Sequence, residues 1–488
     1  MFIVMIASEC APVAKVGGLG DVVFGLSREI EIRGNAVEII LPKYDCMRYD
    51  HIWGLQVTYQ DLWVPWSGGQ IHCTVYFGQV HGRKCFFIEP HSDENFFSRG
   101  GYYGFPDEHI RFAFFSKAAL EFMSRAGKRP DIIHTHDWQT ALVPVMLYEI
   151  YQHQGMGDCR VCHTLHNVKH QGVAGKDMLW LTGLGRPDHF CSSERMGDDF
   201  NPVNFTKGAI VFSNFITTVS PRHAWEVRHT EWGFGLGHTL YLHQSKFGGV
   251  LNGLDYDMWN PEIDPAIPSH YTAKTFAAKT DNTRALRERQ LLSDADKPLV
   301  AYVGRLDTQK GVHLIRHALF RSLEKGAQFV LLGSSPEQGI NAHFWALKHD
   351  LNDNPDCHLE IGYDEDLAHL IYAGADILVV PSLFEPCGLT QMIALRYGTV
   401  PVVRAVGGLA DTVFDRDHSE RPEAERNGFV FDHTDTKALE SALDRAIDLK
   451  TDRPDEFREL AMRGMGCDYS WNKPGQDYLN IYEMIRHK

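Results

Sequence analysis

The sequence predicts an α/β protein of two halves, each a run of βαβ units on a parallel sheet. Three observations predict it. Short apolar runs alternate with longer segments of helical period through the first half. The alternation lapses between Gly248 and Pro298. A second alternation of the same kind begins at Leu299. Two such halves suggest a cleft, because ligands of open α/β sheets bind beyond the carboxyl ends of the strands.

The elements follow in order. Runs near residues 2–7, 36–41, 131–134, 161–165 and 215–219 read as strands. Phe112 to Met123 carries apolar residues at helical spacing. The stretch holding Asn260-Pro261, Asp264-Pro265 and Ile267-Pro268, and the polar run from Thr272 to Asp296, read as a connection between domains. Beyond it, 299–303, 329–332, 358–361, 377–380 and 400–403 read as strands. Helices are expected after Gly311, from Met392 to Tyr397, and from Thr436 to Leu449. No short repeat argues for a solenoid.

Composition bounds the answer. The chain has 488 residues, and at roughly 150 per domain its length alone suggests about three domains. It is 44% hydrophobic, 11% aromatic and 23% charged, which excludes disorder and fibrous classes. With 48 Lys+Arg against 63 Asp+Glu the net charge is -15, so nothing favours nucleic acid or an anionic membrane as partner. No apolar run reaches the roughly 20 residues that cross a bilayer. The first run, Met1 to Ala7, lacks a basic leader and soon meets Glu9, so it reads as a buried strand and not a signal peptide. A cytoplasmic location is expected.

Ten cysteines are scattered, most in apolar surroundings, as Cys85 and Cys191 are beside Phe; reduced thiols are expected. Cys159-Arg160-Val161-Cys162-His163 fits the c-type haem attachment spacing, but it continues into strand-like alternation, and attachment would require export. The aromatics Trp53, Trp63 and Trp66 read as core packing.

Polar and glycine-rich residues gather at strand ends. Lys15-Val16-Gly17-Gly18-Leu19-Gly20-Asp21 stands between the first strand and a helix. Such glycines let backbone amides approach a phosphate, and Lys15 can add a point charge; a tight turn explains the spacing equally well. His134, His136, Asp137 and Trp138 end one strand, and His163, His166 and Asn167 end the next. Metal binding by the four histidines is disfavoured, since i, i+2 residues on a strand lack the loop geometry of closed zinc sites. In the second half, Arg305 and Lys310 follow a strand and can converge on a diphosphate. Tyr363 ends another strand and offers a ring to a base. Phe384-Glu385-Pro386-Cys387-Gly388-Leu389-Thr390-Gln391 lies between a strand and a helical run, with Glu385 expected at the cleft and the amides near Gly388, Leu389 and Thr390 aimed at phosphate.

These motifs, collinear over nearly the whole chain together with Asn252-Gly253-Leu254-Asp255, resemble bacterial glycogen synthases and plant starch synthases. The form Ala14-Lys15-Val16-Gly17-Gly18-Leu19-Gly20-Asp21-Val22-Val23 looks most like the starch synthase III and IV branch and its cyanobacterial relatives. The resemblance implies a GT-B fold: two Rossmann-like, doubly wound domains facing an interdomain cleft. The implied divisions are residues 1–255, 256–470, and a segment 471–488 that returns to the first domain. It further implies transfer of glucose from ADP-glucose to the non-reducing 4-hydroxyl of an α-1,4-glucan or maltooligosaccharide, with retention and without metal or cofactor. Glu385, His166, Arg305 and Lys310 form the implied catalytic set. Glu385 binds donor-glucose hydroxyls, His166 lies near the 6-hydroxyl, and Arg305 and Lys310 neutralise the diphosphate. Lys15, Gly17, Gly18, Asp137, Asn167, Tyr363, Cys387, Gly388, Leu389 and Thr390 form the implied nucleotide-sugar site, with Tyr363 stacked on adenine.

Many GT-B enzymes carry a second Glu seven intervening residues after the first; here that position is Ile393. Synthases of this family commonly lack it too, and ribose recognition by a carboxylate is lost there. Rival readings are the same fold using UDP-glucose, a non-catalytic glucan-binding or priming scaffold, and a nicotinamide dehydrogenase, the last opposed by the missing dinucleotide fingerprint.

Overall fold

The first strand, Phe2–Ile6, is apolar at every position and almost wholly buried, as a strand flanked by parallel neighbours must be. It lies at the centre of the first of two units in the computed structural model, which describes residues 1–186, 196–197 and 202–488. One unit comprises Met1–Gly253 and Trp471–Lys488, the other Leu254–Ser470. Cys191 lies outside the described residues.

The first unit holds a nine-stranded sheet in the order Phe247–Gly249, Phe215–Thr218, Arg160–Leu165, Ile132–His136, Phe2–Ile6, Ala36–Pro42, Arg83–His91, Gly69–Val80, Trp53–Trp66. Pairing is parallel as far as Arg83–His91 and antiparallel for the last two strands. Strand order reverses between Phe2–Ile6 and Ile132–His136, so the loops after these two strands diverge to opposite sides and leave a crevice.

The long hairpin Trp53–Trp66 and Gly69–Val80 escapes the sequence pattern. Its two-residue turn, Ser67-Gly68, has positive φ at both positions (52° and 76°), as such hairpins require. The hairpin corrects the reading of its tryptophans. Trp66 is buried, but Trp53 and Trp63 stand more than half exposed, because an edge hairpin turns one face to solvent.

The helix Asn472–Arg486 completes the first unit. A Cβ on Gly25 would lie 2.0 Å from the Trp471 indole nitrogen, so only glycine lets Trp471 seat on helix Gly18–Ile32. Tyr482 donates its hydroxyl proton to, or accepts one from, His134 Nδ1 at 2.7 Å. The haem-like spacing resolves the same way: Cys159 and Cys162 are buried thiols, and His163 Nδ1 is 2.8 Å from Thr135 Oγ1.

The second unit is a six-stranded parallel sheet in the order Cys357–Ile361, Gln328–Gly333, Leu299–Val303, Ile377–Val380, Val400–Arg404, Phe429–Phe431. Numbered along the chain this is 3-2-1-4-5-6, the doubly wound order, with its switch point between Leu299–Val303 and Ile377–Val380. The polar run from Thr272 is not simple connection. Thr272 caps a short 3-10 helix, Ala273–Ala278, and Lys279–Arg289 is α-helical. Only Lys279, Asn282 and Leu286 of that helix are buried, too few to make an apolar stripe. No helix among the described residues is long and apolar enough to cross a membrane.

Candidate active site

In the second unit the two loops at the switch point carry the charged residues. After Leu299–Val303 the chain passes Gly304 and Arg305, whose carbonyl accepts the Tyr302 hydroxyl at 2.6 Å. Arg305 reaches solvent and lies 3.3 Å from Asp307. Asp307 caps the turn Thr308–Lys310 by accepting the Lys310 amide at 3.0 Å. Gly311 then takes φ +73°, and a Cβ there would stand 2.5 Å from the Pro381 carbonyl. That close approach brings the two loops together. Leu383 N donates to Gln309 O at 2.8 Å, and Gln309 Nε2 donates to Phe384 O at 3.2 Å.

Held this way, Lys310 Nζ lies 2.5 Å from Glu385 Oε2. Ser382 Oγ donates to the same oxygen at 2.8 Å. Glu385 is 6% exposed, and its charge is met by a cation and a hydroxyl, as a buried carboxylate requires. Its backbone is fixed from behind by residues the sequence reading missed. Gly408 N donates to Glu385 O at 3.1 Å. A Cβ on Gly407 would fall 1.9 Å from Glu385 O, and one on Gly408 2.1 Å from Cys387 O.

Gly388 takes φ +74°, and Gln391 Nε2 donates to the carbonyls of Cys387 and Gly388. Leu389 and Thr390 follow at the start of helix Thr390–Arg396. Cys387 and Ile393 are buried. Tyr363 is 83% exposed beyond strand Cys357–Ile361, with its hydroxyl 3.3 Å from Glu365.

In the first unit the glycine loop is organised by a carboxylate. Glu9 Oε2 accepts the amides of Val16 (2.7 Å) and Gly17 (3.0 Å), and Oε1 accepts the Tyr103 hydroxyl (2.7 Å). Burial pushes the Glu9 carboxyl above the usual range, against the pull of those donors. The Gly17 amide is thus directed at Glu9. Sequence reasoning passed over Glu9 because a single acid after an apolar run reads as the end of the run. Lys15 Nζ pairs with Asp21 at 2.8 Å, on the first turn of helix Gly18–Ile32. Gly17 is extended, with φ -148°, and a Cβ there would meet nothing within 4 Å.

The loop after Ile132–His136 begins with Asp137 at φ 54° and ψ -175°, a region nearly reserved for glycine. The strain aims its carboxylate at the end of the adjacent strand. Oδ1 accepts the amides of His166 (2.6 Å) and Asn167 (3.3 Å). Burial raises the Asp137 carboxyl to about 7, while the two amides oppose the shift. His166 Nε2 lies 3.1 Å from His136 Nδ1, and burial lowers His166 to about 3, so its ring is neutral at physiological pH. Asn167 Oδ1 accepts the Lys169 amide at 3.1 Å. His134 Nε2 is 2.7 Å from Thr164 Oγ1, so these histidines are wired to hydroxyls and to one another.

Each unit therefore gathers polar side chains at its own switch point. One presents two cations and a carboxylate; the other presents a glycine loop, a lysine, a neutral imidazole and a strained aspartate.

Comparison with known proteins agrees. The family "Starch synthase catalytic domain" matches residues 2–241, and "Glycosyl transferases group 1" matches residues 284–463. Glycogen synthase 1 of Synechococcus sp. (strain JA-3-3Ab) is 67% identical over 492 residues, spanning 100% of both chains. Glycogen synthase 1 of Trichormus variabilis is 65% identical over 491 residues, again with 100% of each covered. The solved catalytic domain of starch synthase IV from Arabidopsis thaliana, bound to ADP and acarbose, superposes with a TM-score of 0.95 at 44% identity, covering 100% of this chain and 99% of that one. The chain belongs to the glycogen synthase and starch synthase family, glucosyltransferases of GT-B fold built from two Rossmann-like α/β domains.

Proposed function

We propose that the protein transfers glucose from ADP-glucose to the 4-hydroxyl at the non-reducing end of an α-1,4-glucan, with retention at the anomeric carbon. The observation that carries this reading is the Lys310–Glu385 pair beside Arg305 at the switch point of the second unit. The starch synthase IV domain that shares the fold was solved with ADP and acarbose, which supports a nucleotide and a glucan as ligands here.

In this reading Arg305 and Lys310 oppose the charge that grows on the diphosphate as the glycosidic bond to phosphate breaks. The reading assigns phosphate hydrogen bonds to amides near Gly18 of the first unit and near Leu389 and Thr390 of the second, and gives Lys15, Cys387 and Gly388 a part in nucleotide-sugar binding. Gly17 supports ligand approach, because nothing in the protein itself occupies the space its missing side chain leaves. Glu385 binds hydroxyls of the donor glucose, and the exposed Tyr363 ring stacks on adenine. His166, neutral and with its backbone N–H donating a hydrogen bond to Asp137 Oδ1, meets the 6-hydroxyl, with Asn167 nearby. The acceptor oxygen attacks the anomeric carbon from the face that ADP leaves. Its proton passes to the departing phosphate oxygen, and ADP takes the bonding electrons. The sugar acquires oxocarbenium character between the two bonds. Two fixed cations supply the neutralisation, so the reaction is assigned no metal. A cytoplasmic setting belongs to this reading.

Incubation with labelled ADP-glucose and maltooligosaccharide tests the reading. Elongation by single glucose units, unaffected by EDTA, is expected. Preference for UDP-glucose in competition overturns the donor assignment, and loss of activity in EDTA overturns the metal-free one.

A further inference from the structure

His136 ends strand Ile132–His136 and is wholly buried. Its register partner on the neighbouring strand is Thr164, and His166 follows two residues later. His136 Nδ1 thereby comes to 3.1 Å from His166 Nε2. Burial holds both rings below the usual imidazole range, so each carries a single proton, and the bond between them can run in either direction. We infer that His136 is the donor: it is a positioning residue that fixes His166 as the tautomer protonated on Nδ1, so that His166 gives a hydrogen bond to the 6-oxygen of the donor glucose. The sugar contact rests on the transfer reaction proposed above, whereas the tautomer rests on the geometry of the first unit alone.

The direction is decided at the far nitrogen of His136. Nε2 is buried and meets no hydrogen-bond partner among the described residues. If His166 were the donor, the one proton of His136 would sit on that nitrogen, as a buried N–H with nothing to accept it. Folded proteins almost never leave a buried N–H in that state, and they leave acceptors so more readily. With its proton on Nδ1, His136 spends its only N–H on His166 and leaves just a lone pair at the buried end.

The surroundings hold both rings in this arrangement. Thr140 Oγ1 accepts the His136 amide at 2.7 Å and donates to the His136 carbonyl at 2.8 Å. The His134 ring lies against His136, with centroids 4.2 Å apart. His134 is itself held at both nitrogens, by the Tyr482 hydroxyl and by Thr164 Oγ1, each at 2.7 Å. Turning the His136 ring over would set carbon against His166 Nε2 and lose the bond. On the other side, the His166 amide is tied to Asp137 Oδ1 at 2.6 Å. His166 is half-buried, and Nδ1 is the nitrogen it has left for a ligand. A free histidine side chain favours the proton on Nε2, so the form seen by the sugar is imposed by the neighbour. An N–H only donates, and the 6-oxygen must therefore accept.

The test reads the tautomer first, by nitrogen NMR of the full chain carrying ring-labelled histidine, without substrate. The His166 signals are those missing from His166→Asn. In the parent the proton should be on Nδ1, and in His136→Leu it should move to Nε2. A parent with the proton on Nε2 overturns the inference, whether or not the Leu variant folds. Rates then read the contact. With ADP-glucose, kcat/KM of His136→Leu should fall about tenfold, the loss of one hydrogen bond to the sugar. His136→Asn, whose amide nitrogen stands as far from Cβ as Nδ1 does, should recover most of it. With ADP-6-deoxyglucose, which has no 6-oxygen, the parent and His136→Leu should agree within about twofold. Equal losses on the two donors, or no recovery in the Asn variant, would overturn the positioning role. The spectrum needs no turnover. A proton on Nδ1 without transfer from ADP-glucose would sink the reaction and keep the tautomer, while normal transfer with the proton on Nε2 would sink the inference alone.

Discussion

Lys310 Nζ and Glu385 Oε2 lie 2.5 Å apart, although 75 residues separate them in the chain. The pair joins the loops after the two central strands of the second unit. Glu385→Ala should lower kcat on the order of 100-fold, through loss of a contact that strengthens in the transition state. Lys310→Ala strands a buried carboxylate. A double-mutant cycle on the melting of the protein should show coupling of about 1 to 3 kcal/mol. Near-normal turnover of Glu385→Ala would remove Glu385 from the mechanism, and additive losses in the cycle would contradict the pairing.

Glu9 should behave as a positioning residue. Glu9→Ala leaves the Val16 and Gly17 amides without their acceptor and frees the loop. Donor kcat/KM should fall roughly tenfold, as expected when a binding loop loses its geometry. Glu9→Gln keeps an acceptor oxygen and should recover most of that loss. A Gln variant as impaired as the Ala variant would point to the charge of Glu9 instead.

Asp137 should make stability depend on pH. Its carboxyl titrates near 7 in the folded protein, above the ordinary value of 3.8. The unfolded chain releases this proton first, so the contribution is full at low pH and is lost as pH rises through about 7. Asp137→Asn removes the titration but keeps an acceptor for His166 and Asn167. The melting temperature of the variant relative to the parent should therefore rise by a few degrees between pH 5 and pH 8. A difference independent of pH would refute the shift.

Gly407 and Gly408 have no room for a methyl group. Gly407→Ala adds strain at φ +47° to its clash with the Glu385 carbonyl. It should cost about 2 to 3 kcal/mol by thermal or denaturant unfolding. Activity should fall with it, because the backbone that carries Glu385 must move. A variant as stable and active as the parent would show that the turn can give way.

The strands of both sheets were legible because buried parallel strands are continuous apolar runs, as Phe2–Ile6 and Leu299–Val303 are. The charged residues at their ends were legible for the same reason, since a strand end before a helix marks where ligands meet this architecture. Partnership was not legible. Lys310 meets Glu385 only because strand order sets 299–303 beside 377–380. The hairpin at Ser67-Gly68 was hidden because strand Trp53–Trp66 is exposed at consecutive positions over its first half and so shows no alternation there, and helix Lys279–Arg289 by having only three buried positions. Glu9 was invisible because its role lies in amides seven and eight residues on and in a tyrosine hydroxyl far along the chain.

The return of Trp471–Lys488 to the first unit has a consequence for biosynthesis. A ribosome delivers the amino end first, yet the hydroxyl of Tyr482 that meets His134 is made after all of Leu254–Ser470. Leu254–Ser470 can therefore close on itself while the earlier-made portion still waits for its final helix. The first unit can be completed only after the second has been synthesised.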